Sequence, residues 1–87
     1  MTNSEKTLLT IGKAAERAGV SSQSVQYYLM LGLLDPTSAT PGGHRLFDEK
    51  AIERIRLIKK LNATGYTLRD IRVLFMQQGK IKKGNDL

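Results

Sequence analysis

Ser22, Gln23, Gln26 and Tyr27 are the residues of this 87-residue chain best suited to chemistry. That chemistry is hydrogen bonding to a polyanion rather than bond making. On a helix turning about 100° per residue the four fall along one ridge, with Met30 behind them. The ridge carries no charge, whereas a solvent-facing ridge ordinarily alternates Lys and Glu. Hydroxyls and side-chain amides reach phosphate oxygens and base edges, and Gln can pair with adenine through two hydrogen bonds. Tyr27 and Tyr28 are neighbours and so point about 100° apart. Tyr28 is expected to pack inward, and Tyr27 to stand outside and donate its hydroxyl to a phosphate.

A second group lies just beyond Gly42-Gly43. Arg45, at the end of a turn, is positioned to reach a nucleic-acid backbone or minor groove. The alternative for it is a surface pair with Asp48 or Glu49, which contributes little in solvent. His44 either donates to a phosphate or is a half-buried hairpin residue; both readings stay open.

Composition narrows the field. Lys and Arg number 14 against 8 acidic residues, a net charge of +6 with a pI near 9.9, which biases the chain towards polyanions. Cysteine is absent, excluding disulfides and thiolate metal sites, and a single His cannot hold a transition metal alone. No cofactor is expected. Glu49 and Glu53 look like surface charge, and no nucleophile has a base beside it, so an enzyme is not expected. With no apolar run of signal-peptide or membrane-span length, the expected setting is the cytoplasm, with no membrane partner.

The elements that must position these groups follow from periodicity and capping. Residues 1–8 are polar and aperiodic, a loose arm. A first helix runs from Ile11 to Ala18 with Thr10 as N-cap, its stripe made of small residues (Ala14, Ala15, Ala18), and Gly19 ends it. Ser21 caps a second helix whose inward face is Val25, Tyr28 and Leu29, and Gly32 stops it. Helix, Gly-Val-Ser turn, helix is a helix-turn-helix pattern. Residues 33–47 read as a short hairpin or wing with Gly42 and Gly43 near the tip. Asp48 opens a third helix with Ile52, Ile55, Ile58 and Leu61 inward. Thr67 and Asp70 form a capping box for a fourth, with Leu68, Ile71, Leu74 and Phe75 inward and Gly79 at its end. Residues 79–87 are a basic tail. The expected fold is mainly α: a winged helix-turn-helix of four helices in two pairs, with a short β-hairpin wing, over residues 9–78.

The segments Leu9 to Ala15, Gly19-Val20-Ser21, Tyr27-Tyr28, Gly32-Leu33-Leu34, Gly43 to Phe47 and Gly65 to Leu68 resemble, in order and spacing, the DNA-binding domain of the MerR family. The resemblance implies that the second helix enters the major groove of double-stranded DNA and the wing grips its backbone, in a dimeric promoter regulator. Thr10, Lys13 and Lys59 complete the set expected to face DNA. Four positions depart from the family pattern: Gln26 stands for Arg, Leu29 for an acidic residue, Thr37-Ser38-Ala39 lacks an Arg, and Asn62 replaces a basic residue. Each lost phosphate contact lowers affinity and flattens its salt dependence.

Twelve residues follow Phe75, too few for a coiled coil of several heptads. The chain is therefore expected to be either a fragment or a minimal member. A homodimer or partner protein would dock through Leu29, Met30 or the C-terminal helix. The alternative functions are an excisionase-like architectural accessory of recombination and a pure protein-interaction module. The first predicts clustered attachment-site repeats, and the second no duplex binding at low salt.

Overall fold

The computed structural model describes residues 7–84, with side chains described as far as Gln77. Along the chain come β1 (Leu9–Thr10), α1 (Ile11–Ala18), α2 (Ser22–Met30), β2 (Ser38–Ala39), β3 (Arg45–Phe47), α3 (Glu49–Thr64) and α4 (Leu68–Gly84). Ala14, Ala15 and Ala18 are buried, and because they are small, both α2 and α3 pack closely against α1. The two helices of the first pair end alike. Gly19 and Gly32 sit at φ 77° and 78°, a region that suits glycine. Beyond each, paired backbone bonds close the helix: Gly19 N–H to Glu16 O and Val20 N–H to Ala15 O, then Gly32 N–H to Leu29 O and Leu33 N–H to Tyr28 O.

The wing is larger than a hairpin. Its three antiparallel strands lie in the order β1-β3-β2, with Leu9 opposite Phe47, Thr10 opposite Leu46 and Ala39 opposite Arg45. Leu9-Thr10 thus joins the wing to the start of α1, a pairing that no local pattern in a two-residue strand announces. Thr10 does precede α1, but its side chain makes no capping hydrogen bond. Its backbone is committed to the sheet instead. At the tip, Gly43 N–H donates to Thr40 O at 2.8 Å and Thr40 N–H to His44 O at 2.8 Å. Pro41 presets the first corner of this turn.

Three further expectations are corrected. Leu33 and Leu34, read as part of the wing, are core residues at 0% and 2% exposure. The closure at Gly32 turns the chain inward, and Arg54 Nε donates to the Leu33 carbonyl at 2.7 Å. Leu74, assigned to the inner face of α4, is 38% exposed. It lies ~90° around the helix from the centre of the Leu68, Ile71 and Phe75 stripe. Nor does Gly79 end α4, which continues to Gly84. One interior glycine costs a helix only ~1 kcal/mol, and Gln, Lys and Ile flank it.

Asp48 caps α3, its Oδ1 accepting from Ala51 N–H at 2.9 Å. That backbone bond holds the carboxyl below its ordinary value of 3.8. A depressed folded-state pKa contributes stability above the unfolded value and loses it as pH falls through the folded one. Asp48→Ala is therefore expected to lower stability near neutral pH by about 0.5–2 kcal/mol. The gap to the parent should narrow below about pH 4. Thermal midpoints of both proteins across that range check it, and a gap independent of pH would contradict it. At α4 the capping box forms as read: Thr67 N–H donates to Asp70 Oδ2 at 3.1 Å and Asp70 N–H to Thr67 Oγ1 at 3.0 Å.

Candidate nucleic-acid interface

The two faces of α2 separate as its sequence requires. Val25 and Tyr28 are buried at 0% and 7% exposure, while Tyr27 is 50% and Met30 80% exposed. Gln23 and Gln26 lie in solvent and Ser22 is half-buried. Burial pushes the Tyr28 phenol pKa up, so that ring stays neutral and serves packing. Leu29 packs against the core, leaving Met30 as the exposed apolar residue of the pair. The ridge is anchored at its start by Ser21, whose Oγ accepts from Ser24 N–H at 3.0 Å.

The first turn of α1 lies beside this ridge. A methyl group added at Gly12 would come within 3.9 Å of Ser22 Oγ. Thr10 and Lys13 flank Gly12 and are both exposed. His44 and Arg45 stand exposed on the wing, which settles His44 as a solvent-facing residue. Glu49 is taken by Arg17 through two hydrogen bonds of 3.0 and 2.9 Å, and Asp48 by its cap. Among the described residues Arg45 therefore has no acidic partner. Lys59 has a different place: its Nζ donates to the Gly19 carbonyl at 3.0 Å, beside Arg56, which donates to the Arg17 carbonyl. These cations cover the C-terminal end of α1, where carbonyl oxygens lack helical partners.

Sequence reasoning passed over three arginines. Arg54 bridges elements, bonding Leu33 O while its guanidinium lies 4.1 Å from the Phe75 ring centroid. No local pattern marks it. Arg69 and Arg72 emerge beside Tyr27, and their spacing of three on α4 was a readable signal. Among the described residues no cluster of acidic or imidazole groups is arranged to hold a metal ion, and no helix is long and apolar enough to cross a membrane.

A family model described as the MerR HTH family regulatory protein matches residues 9–78. The chain belongs to the MerR family. Among MerR relatives, the mercuric resistance operon regulatory protein of Bacillus cereus is 33% identical over 61 residues, covering 70% of this chain and 46% of that protein. The HTH-type transcriptional regulator MerD of Pseudomonas fluorescens is 44% identical over 50 residues, 58% of this chain and 91% of the relative. Among solved structures, HiNmlR, a MerR family regulator lacking the sensor domain and bound to promoter DNA, matches with a TM-score of 0.71 at 32% identity. That match covers 78% of this chain and 54% of HiNmlR. The chain spans less than half the length of the first curated relatives, 46% and 28%. These MerR proteins are named as regulators.

Proposed function

We propose that this chain binds double-stranded DNA at specific sites and regulates transcription, with α2 in the major groove and the wing on the backbone. One observation carries the reading: Gln23, Gln26 and Tyr27 stand in solvent on an uncharged ridge while Val25 and Tyr28 hold that helix to the core. In this reading Gln23 and Gln26 face base edges, and Ser22, Tyr27, Thr10 and Lys13 face phosphates. Arg45 and His44 follow the backbone from the wing. Lys59 acts from behind by holding the Gly19 turn that sets the angle between α1 and α2. The DNA compartment of a bacterial cell, its cytoplasm, is where this role is exercised.

Selection of bound duplexes from a random pool, with the mass of the complex measured, tests the reading. The expected result is a defined motif bound at least ~10³-fold more tightly than scrambled duplex, with affinity falling steeply as salt rises. The mass reports how many copies of the chain join one duplex. Equal affinity for the best selected site and scrambled DNA would end the proposal. Arg45→Ala is expected to weaken binding to all duplexes alike and to reduce the slope of log affinity against log salt by about 1. A loss confined to one base position would instead make Arg45 a base reader.

A further inference from the structure

Between the C-terminal end of α2 and the first two turns of α4 runs an open groove of about 360 Å³ lined by Tyr27, Met30, Leu31, Leu68, Arg69 and Arg72. Leu31 and Leu68 are half-buried and form its floor, while Met30 and Tyr27 stand exposed on the α2 wall. An apolar side chain as open as Met30 leaves its surface in water, where covering it is favourable. The α4 wall is cationic. Arg69 and Arg72 are three apart and share one side of the helix. A methyl group added at Gly32 would lie 3.6 Å from Arg72 Nε, so that side chain runs along the α2 exit. Neither arginine forms a salt bridge among the described residues, and Asp70, between them, is engaged at the Thr67 N–H.

We infer that this groove is a docking site for an acidic amphipathic helix of another protein, and that a helix seated there excludes duplex from α2. A groove between two helices accepts a third, whose apolar residues at i, i+3 and i+4 lie on the floor. Met is unbranched and polarizable, so Met30 adapts to the apolar side chains laid against it. Carboxylates flanking that stripe meet Arg69 and Arg72, whose planar forks bind them through paired hydrogen bonds. A second copy of this chain fits poorly as the occupant. Among its described acidic residues Glu49 and Glu53 pair with arginines, and Asp48 and Asp70 cap helices. That leaves Glu16 on α1 and Asp35 in the loop after α2, on separate elements. The charge on α4 therefore calls for carboxylates from a different protein. The exclusion of duplex rests on the DNA-binding reading, because an occupant covers Tyr27, which that reading sets against a phosphate; docking itself does not depend on it.

The probe is a synthetic, fluorophore-labelled helical peptide of about four turns, with leucines at i, i+3, i+4 and i+7 and glutamates flanking them. Its binding to the full 87-residue chain is followed by anisotropy, beside a control peptide of the same composition with its leucines dispersed around the helix. A chain of net charge +6 attracts any acidic peptide. Arg69→Gln with Arg72→Gln is therefore compared with Lys50→Gln and Lys60→Gln together, which removes the same charge elsewhere. The expected loss of affinity is roughly five- to 30-fold for the arginine pair and below about twofold for the lysine pair. The dispersed peptide should bind all variants weakly. On titration, backbone amide shifts should move at Tyr27 to Leu31 and Leu68 to Arg72 and stay in place on the wing, a map that a folding defect cannot imitate. Equal losses in the two double variants, equal binding of the two peptides, or shifts on the wing instead would each overturn the inference. So would self-association of the parent that the arginine pair abolishes, which would give the groove to a second copy. With the selected duplex bound first, the peptide should release it, and a stable complex of peptide, chain and duplex would overturn the exclusion. Peptide binding by a parent that binds no duplex at low salt would sink the DNA-binding reading and leave the docking site standing.

Discussion

Phe47→Ala is expected to lower the stability of the domain by about 3–5 kcal/mol. The net stability of a domain of this length is on the order of 5–10 kcal/mol, so much of the variant should unfold near physiological temperature. Phe47 is fully buried and is among the largest side chains in the core. Its position makes the loss more than one of volume. It ends β3, the central strand, where it pairs with Leu9 of β1, and it is followed by the cap of α3. Truncation therefore loosens the wing, the entry to α1 and the start of α3 together. Denaturant unfolding followed by circular dichroism measures the effect. Phe47→Leu, which keeps most of the volume, should cost less than about 1.5 kcal/mol and retain duplex binding. A loss below ~1 kcal/mol for the alanine variant would show that this core collapses easily around the gap.

Tyr27→Ala is expected to weaken DNA binding by about 1–3 kcal/mol, roughly five- to 150-fold in Kd, with little change in stability. Two positions earlier on the same helix the balance reverses. Val25 is fully buried, so Val25→Ala should lower stability by about 1–3 kcal/mol while the folded fraction binds as before. Tyr27→Phe separates the hydroxyl from the ring, and a loss near 1 kcal/mol there would assign the effect to a hydrogen bond. If Tyr27→Ala and Val25→Ala produced the same pattern of lost stability and lost binding, the division of α2 into an outward ridge and an inward face would be wrong. Fluorescence anisotropy on the selected duplex, paired with unfolding curves, distinguishes the cases.

The parts legible beforehand are those set by short-range patterns. Ser21, Asp48 and the Thr67–Asp70 pair act within three residues, and each forms the capping bond expected of it. The helical stripes on α1, α2 and α3 were likewise readable because a buried face repeats every three or four residues. Errors came where such patterns thin out. Leu74 continues an apolar run without sharing the buried face, and Gly79 carries a helix-stop residue at a place where the surrounding residues favour the helix. Leu33-Leu34 has the composition of a strand but sits where the chain doubles back into the core.

From letters alone one learns which groups are available to touch a polyanion, that α2 has one face for the core and one for a partner, and that the chain resembles the MerR family. Those follow from side-chain chemistry and helical repeat, both local. Long-range placement needed the folded chain. Leu9 finds β3 across thirty-odd residues of sequence, Arg54 joins the α2 exit to Phe75, and Arg69 and Arg72 come to rest opposite Tyr27. Contacts of that kind depend on how helices cross and where loops return. No spacing along a single element encodes them, because each partner is chosen by the packing of all the others.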